Sequence, residues 1–132
     1  MQDTKNHLAT LEHTNISVSN PDKTAQLLCD LFSWKIRWAG PSMNDGHTVH
    51  VGTEESYLAL YTNPKIQSGE QSDPASQNHL NHIGVVVTDL KSMEQRAITL
   101  GLMPNNFRDY RLCKSFYVVE ESGLEIEIIS YD

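Results

Sequence analysis

The sequence predicts an α+β fold of two tandem βαβββ modules, with curved mixed sheets around a concave cavity and helices on the outer face. Three observations carry this expectation: a histidine-led strand pattern that occurs twice, a helix signal after each copy, and a polar segment between the halves.

The duplicated pattern is LEHTNISV at 11–18 and LNHIGVVV at 80–87. With the chain displaced by 69 residues (13 to 82), His13 falls on His82, Ile16 on Val85, Val18 on Val87, Asn20 on Asp89 and Leu31 on Leu100. Runs of β-branched residues with a two-residue period read as half-buried strands. Asn20 and Asp89 are natural helix N-caps, because a short side-chain oxygen can accept from the free N–H groups of the first turn, and Pro21 suits the first helical position. Leu27, Leu28 and Leu31 give the first helix an apolar face, as Met93, Ala97 and Leu100 do for the second. Gly101 is placed to end the second helix.

After the first helix the extended segments are KIRW, HTVHV and YLALYT; after the second they are RLCKSFYVV and LEIEIIS. Between the halves NPKIQSGEQSDPASQN, residues 63–78, has the Pro, Gly and Ser content of a linker. The expected organisation is one domain over 1–132, with module 1 at about 8–63, a linker at 64–78 and module 2 at about 79–131.

Composition excludes several functions. A chain of 132 residues with 39% hydrophobic content can build an ordinary core without staples. Its net charge of −7 argues against nucleic acid, whose phosphates require clustered Lys and Arg. No apolar run approaches the roughly 20 residues of a membrane span. The N-terminus MQDTKNHLAT lacks the apolar core of a secretory signal. Cys29 and Cys113 are too few for a cysteine zinc site. The expectation is a cytoplasmic protein that meets neither nucleic acid nor membrane.

Strand alternation then assigns faces. Ile16 and Val18 form the core set of the first strand, which leaves His13, Asn15 and Ser17 on the open face. Ile83, Val85 and Val87 pack inward, so His82 and Gly84 point the other way. In LEIEIIS, Ile126 and Ile128 are core, and Glu125 and Glu127 share the open face. His13, His82 and Glu127 therefore all belong to open faces. Two histidines and a carboxylate suit a divalent ion, Fe, Mn, Ni or Zn, with positions left for substrate. A lone histidine at a strand start is more often structural, and Glu127 alone reads equally as a solvated strand residue. Of the other histidines, HTVH (47–50) and HLNH (79–82) have a spacing that sends the paired rings to opposite faces of a strand. His50 joins the cavity side as a general base or substrate contact, whereas His7, His47 and His79 read as surface residues.

With these residues in place, the chain resembles the vicinal oxygen chelate superfamily, which includes glyoxalase I, bleomycin-resistance proteins, fosfomycin-resistance enzymes and extradiol dioxygenases. LFSWKIRW (31–38) is similar to the family's helix end and second strand. The resemblance implies metal ligands in the first and last strands of each module, positions that carry His13, Ala59, His82 and Glu127. Glyoxalase I has a glutamate where this chain has Ala59, so the implied ligand set is the three-residue one. FYVVEESGLEIE (116–127) resembles the extradiol dioxygenase signature and makes Tyr117 an active-site tyrosine. The signature's proline is Glu121 here, and Arg108, Asp109 and Tyr110 occupy the stretch of its upstream histidine.

The activity so implied is Lewis-acid chelation of a small oxygen-bearing substrate, of lyase, transferase or dioxygenase type. Tyr57, Tyr61, His50 and Tyr117 would wall the pocket, and Arg108 and Arg111 would receive an anionic group. Relatives of this length commonly complete the cavity with a second chain, so a homodimer is expected. The alternatives are a metal-free protein that sequesters a small molecule, like the bleomycin-resistance proteins, and a purely structural or regulatory domain.

Overall fold

The chain was analysed as a computed structural model that describes residues 9–66 and 77–132. In chain order the elements are β1 (His13–Ser17), α1 (Pro21–Phe32), β2 (Lys35–Ser42), β3 (Gly46–Gly52), β4 (Tyr57–Thr62), β5 (Ile83–Val86), α2 (Leu90–Thr99), β6 (Asn105–Asp109), β7 (Lys114–Val119) and β8 (Glu125–Ser130). This is βαβββ twice, as the sequence predicts. The polar segment expected as a linker falls largely at 67–76, outside the described residues.

The two helices start where the caps place them. Asn20 Oδ1 accepts from the Lys23 amide at 3.2 Å with Pro21 at the first helical position, and Asp89 Oδ1 accepts from the Ser92 amide at 3.0 Å. Gly101, at φ 86°, donates to the Ile98 carbonyl just past the end of α2. A left-handed residue of this kind terminates a helix at little cost when it is glycine.

Each module forms a four-stranded sheet in the same order, β1-β4-β3-β2 and β5-β8-β7-β6. The pairs β1/β4 and β5/β8 are parallel and the rest antiparallel. Between β2 and β3 the chain reverses through Asn44 and Asp45, both near φ +60°, the combination that matches strand twist in tight hairpins. Gly46 follows because a Cβ there would lie 2.6 Å from the Thr62 carbonyl oxygen.

Both helices pack on the same side of their sheets and touch one another. The resulting core is continuous across the modules: Leu28, Leu31, Val49 and Leu60 from the first, Phe116, Val118, Ile126 and Ile128 from the second, all fully buried. Polar contacts lock the modules at the same interface. The Thr24 hydroxyl, on α1, donates to Glu120 Oε2 at 2.9 Å, and Arg96 of α2 donates to the Leu31 carbonyl at the end of α1.

Module 2 departs from expectation in one strand. RLCKSFYVV enters the sheet only at Lys114, and the preceding strand is β6 at 105–109. All five residues of β6 are exposed, so this edge strand has no inward set to produce an alternating pattern. Its pairing with β7 is also irregular between Asn105 and Arg108, with Asn106 at φ 53°.

Candidate functional site

Strand register fixes which side chains share the faces turned away from the helices. In sheet 1, His13 lies opposite Tyr57, and Ala59 sits between Asn15 and His50. In sheet 2, Glu127 lies between Gly84 and Tyr117. The three-residue spacing of His47 and His50 separates them as expected. His47 Nε2 reaches Asp22 Oδ1 of α1 at 3.0 Å, whereas His50 turns to the open face.

On module 2, His82 Nε2 is 3.3 Å from Glu127 Oε1, and the His82 ring meets Tyr117 edge-on with centroids 5.4 Å apart. His82 Nδ1 lies 2.8 Å from Asn81 Oδ1. Desolvation raises the Tyr117 pKa, assisted by the negative charge of Glu127 and by their hydrogen bond and opposed by Arg108. The phenol thus stays protonated well past neutrality and keeps an O–H that can donate. Ser115, which precedes it on the same face of β7, is buried, and its hydroxyl has no protein partner among the described residues.

On module 1, aromatic rings cross the sheet from β2 to β1. Trp38 and His50 centroids are 5.2 Å apart, His50 and Tyr57 4.7 Å, and Tyr57 stacks on His13 at 5.1 Å. Arg37 lies over the Tyr57 ring at 4.2 Å. Glu12 Oε1 is 2.9 Å from His13 Nδ1 and accepts from the Tyr57 hydroxyl at 3.2 Å. These contacts, His13 first, lower the Glu12 pKa.

Burial lowers the pKa of His50, with the neighbouring His13 and Arg37 acting in the same direction and Glu12 against. The folded value lies below the unfolded one, so the unfolded chain holds more protons in that window and stability rises with pH through it. Trp38 offers a readout, since an imidazolium in contact with an indole quenches its emission. In a pH titration, Trp38 emission is expected to recover as pH rises, with a midpoint below the ordinary histidine value of 6.5, and Trp38→Phe should remove the transition. A midpoint above 6.5 would contradict the assignment.

A cavity of about 500 Å³ opens along the seam between β1 and β5, lined by His13, Tyr57, Trp34, Leu80, His82 and Val86 among others. His13 and His82 thus border one space, yet no three metal-donor residues converge among the described residues of a single chain. His82 and Glu127 are brought together; His13 is held apart with Glu12 and Tyr57. Ala59 is 3% exposed and supplies no donor. Tyr61 turns its hydroxyl to the Met43 carbonyl at 3.0 Å, which ties β4 to the β2–β3 turn. Arg108 is exposed with its guanidinium 3.4 Å from the Tyr110 hydroxyl, and Arg111 is exposed in the turn before β7.

Sequence reasoning did not single out Glu12, Asn81, Trp38, Arg37 or Ser115. Glu12 and Asn81 were within reach of the repeat, for the 69-residue displacement that pairs the histidines also pairs the acceptors before them (12 to 81).

Fold and site together define a duplicated βαβββ protein with a histidine at the head of each module's first strand region and, in the last strand of module 2 only, a carboxylate facing one of them. The model of the Glyoxalase/Bleomycin resistance protein/Dioxygenase superfamily matches residues 10–128, and the chain belongs to that superfamily. Solved structures agree on the fold. A glyoxalase/bleomycin resistance protein/dioxygenase domain from Frankia sp. superimposes with a TM-score of 0.79 at 14% identity, covering 96% of this chain and 100% of that one. The trypanothione-dependent glyoxalase I of Leishmania major gives 0.76 at 19% identity over 94% of this chain and 88% of that one. The fosfomycin resistance protein FosX of Listeria monocytogenes, solved with Mn(II) and sulfate, gives 0.70 at 13% identity over 94% and 93%. No curated protein sequence matches the chain. Among the described residues no helix is long and apolar enough to cross a membrane.

Proposed function

We propose that the protein is a divalent-metal-dependent enzyme acting on a small oxygen-bearing substrate, with His82 and Glu127 of one protomer and His13 of a second copy as the metal ligands. The observation that carries this reading is the approach of His82 Nε2 to Glu127 Oε1 at 3.3 Å, on an open sheet face beside a tyrosine held protonated. An imidazole and a carboxylate at that separation are suited to share a cation. His13 lies on the other module, so a homodimer that sets module 1 of one copy against module 2 of the other supplies the third donor.

A bound ion would act as a Lewis acid toward vicinal substrate oxygens. The chain's own groups do the rest. The Tyr117 hydroxyl, held by Glu127 in the metal-free chain, can turn to donate to substrate oxygen that gains negative charge. His50, unprotonated at neutral pH, offers a ring nitrogen that can take a substrate proton. Tyr57 and Trp38 provide an aromatic wall on that face, which Tyr61 extends along β4. Arg108 and Arg111 at the outer rim attract an anionic substrate group.

Two measurements test the reading. Fe(II), Mn(II), Ni(II) and Zn(II) are offered to chelator-treated protein and bound metal is counted. Uptake below about a tenth of an equivalent for all four would reject the enzyme and leave a metal-free binding protein. His13→Ala and His82→Ala are then mixed and allowed to exchange. Each alone is expected to bind poorly. In the mixed dimer one of the two symmetric sites is intact, so about a quarter of the wild-type capacity returns. No recovery on mixing would reject the shared site.

A further inference from the structure

Five of the six glycines among the described residues have a steric reason to be glycine. Gly101 and Gly123 have φ of 86° and 89°, and a Cβ at Gly40, Gly46 or Gly52 would run into other atoms at under 3.0 Å. Gly84, in β5, has neither reason: its φ is not positive, and a Cβ there would meet nothing within 4 Å. Glycine inside a strand costs stability, because it gives up the most backbone freedom on folding and packs no side chain in return. An uncrowded strand glycine marks a place where another molecule comes close to the backbone.

The surroundings of Gly84 are apolar. It shares the open face with His82, pairs with Glu127 across the sheet, and lines the cavity at the β1–β5 seam. Module 2 gives that cavity six residues, Leu80, His82, Ile83, Gly84, Val85 and Val86, of which His82 alone is polar. Leu80 and Val86, on either side of the histidine and glycine along the chain, are 42% and 67% exposed, so apolar surface is left uncovered there. A volume of about 500 Å³ suits a small molecule.

We propose that Gly84 is the floor of a subsite for an alkyl or aryl group of the substrate, and that the missing side chain sets how bulky that group can be. Calling the molecule a substrate rests on the enzyme proposed above; the apolar subsite does not. A substrate held through its oxygens at the His82–Glu127 pair carries its carbon substituent over Gly84, two residues along the chain from the first and across the sheet from the second. An oxygen-rich molecule without such a group leaves Leu80 and Val86 in water and gains nothing there.

The test uses the full chain, metal-free, and the uncharged dye N-phenyl-1-naphthylamine, whose emission rises in apolar surroundings. Wild type is expected to bind it saturably, with about 10-fold weaker binding in Gly84→Val and a smaller loss in Gly84→Ala. Neither new Cβ meets an atom of its own chain, and both substitutions narrow the freedom of the unfolded state, so neither variant should melt below wild type. Dye affinity in Gly84→Val equal to wild type, or a wild type that binds no dye, would overturn the subsite. So would loss of dye accompanied by dissociation of a wild-type dimer, which would assign Gly84 to the contact between copies. Protein loaded with Ni(II) then separates the subsite from the metal site. Benzohydroxamate and acetohydroxamate present the same two oxygens, and wild type is expected to favour the phenyl compound about 10-fold. Gly84→Val should erase that preference and keep its Ni(II). Dye binding that responds to Gly84 in a protein that takes up no Ni(II) would remove the enzyme and leave the apolar subsite standing.

Discussion

Glu127→Gln is expected to abolish tight metal binding while leaving the metal-free protein as stable as before. The carboxylate is one half of the pair that meets at 3.3 Å, and it also accepts the Tyr117 hydroxyl. Glutamine keeps the shape and an oxygen for Tyr117. Its amide can also hydrogen-bond His82 Nε2, whichever of the two carries the proton, so the pair stays satisfied within the protein. The loss of Ni(II) affinity should exceed about 100-fold, beyond what an outer partner contributes. Thermal unfolding of the metal-free variant should match wild type, because a hydrogen bond of about 1 kcal/mol takes the place of the pair. An affinity within tenfold of wild type would remove Glu127 from the ligand set, and a lower melting temperature would make its role structural.

The second large effect concerns stability and a different glutamate. Glu120→Ala should destabilise the fold by about 3 kcal/mol, because the carboxylate is 2% exposed and accepts three hydrogen bonds. The donors are the Ser122 amide at 2.7 Å, the Leu124 amide at 3.1 Å and the Thr24 hydroxyl at 2.9 Å. The first two close the β7–β8 turn, and the third fastens that turn to α1 of the other module. Lys23–Glu121 and Ser19–Ser122 join the same surfaces from the exposed side, where such contacts contribute little. Truncation leaves the turn amides and the Thr24 hydroxyl without a buried acceptor. A fall of about 10 °C in melting temperature is expected for a chain of this size. Thr24→Val in the Glu120→Ala background should cost less than in wild type, since the bond it removes is already gone. Equal costs in both backgrounds would show that the pair does not couple.

Much of this architecture was legible in the sequence because the duplication repeats physics as well as residues. The caps at Asn20 and Asp89, the helix faces around Leu28 and Ala97, and the alternation in HTNISV and LEIEIIS are local signals, and local signals survive folding. The same alternation put Glu127 on the face where it meets His82. β6 was not legible: an edge strand exposed on both faces has no apolar period. Glu12 and Asn81 could be paired by the repeat, but their contacts with the neighbouring histidines could not be read. Neighbours in an extended strand point to opposite sides, so a contact between adjacent side chains depends on the backbone just before the regular strand begins. The relation of His13 to the other donors was also out of reach, because periodicity assigns a residue to a face of its own sheet and carries no information about how two sheets are placed.

That separation of His13 from His82 and Glu127 has a thermodynamic consequence. A site divided between two copies makes ion uptake and self-association a linked equilibrium, in which each strengthens the other by the same free energy. On the proposed shared site, metal affinity would depend on protein concentration: dilution would release ion, chelation would loosen the dimer, and assays run at nanomolar and at micromolar protein would sample different fractions of the competent state.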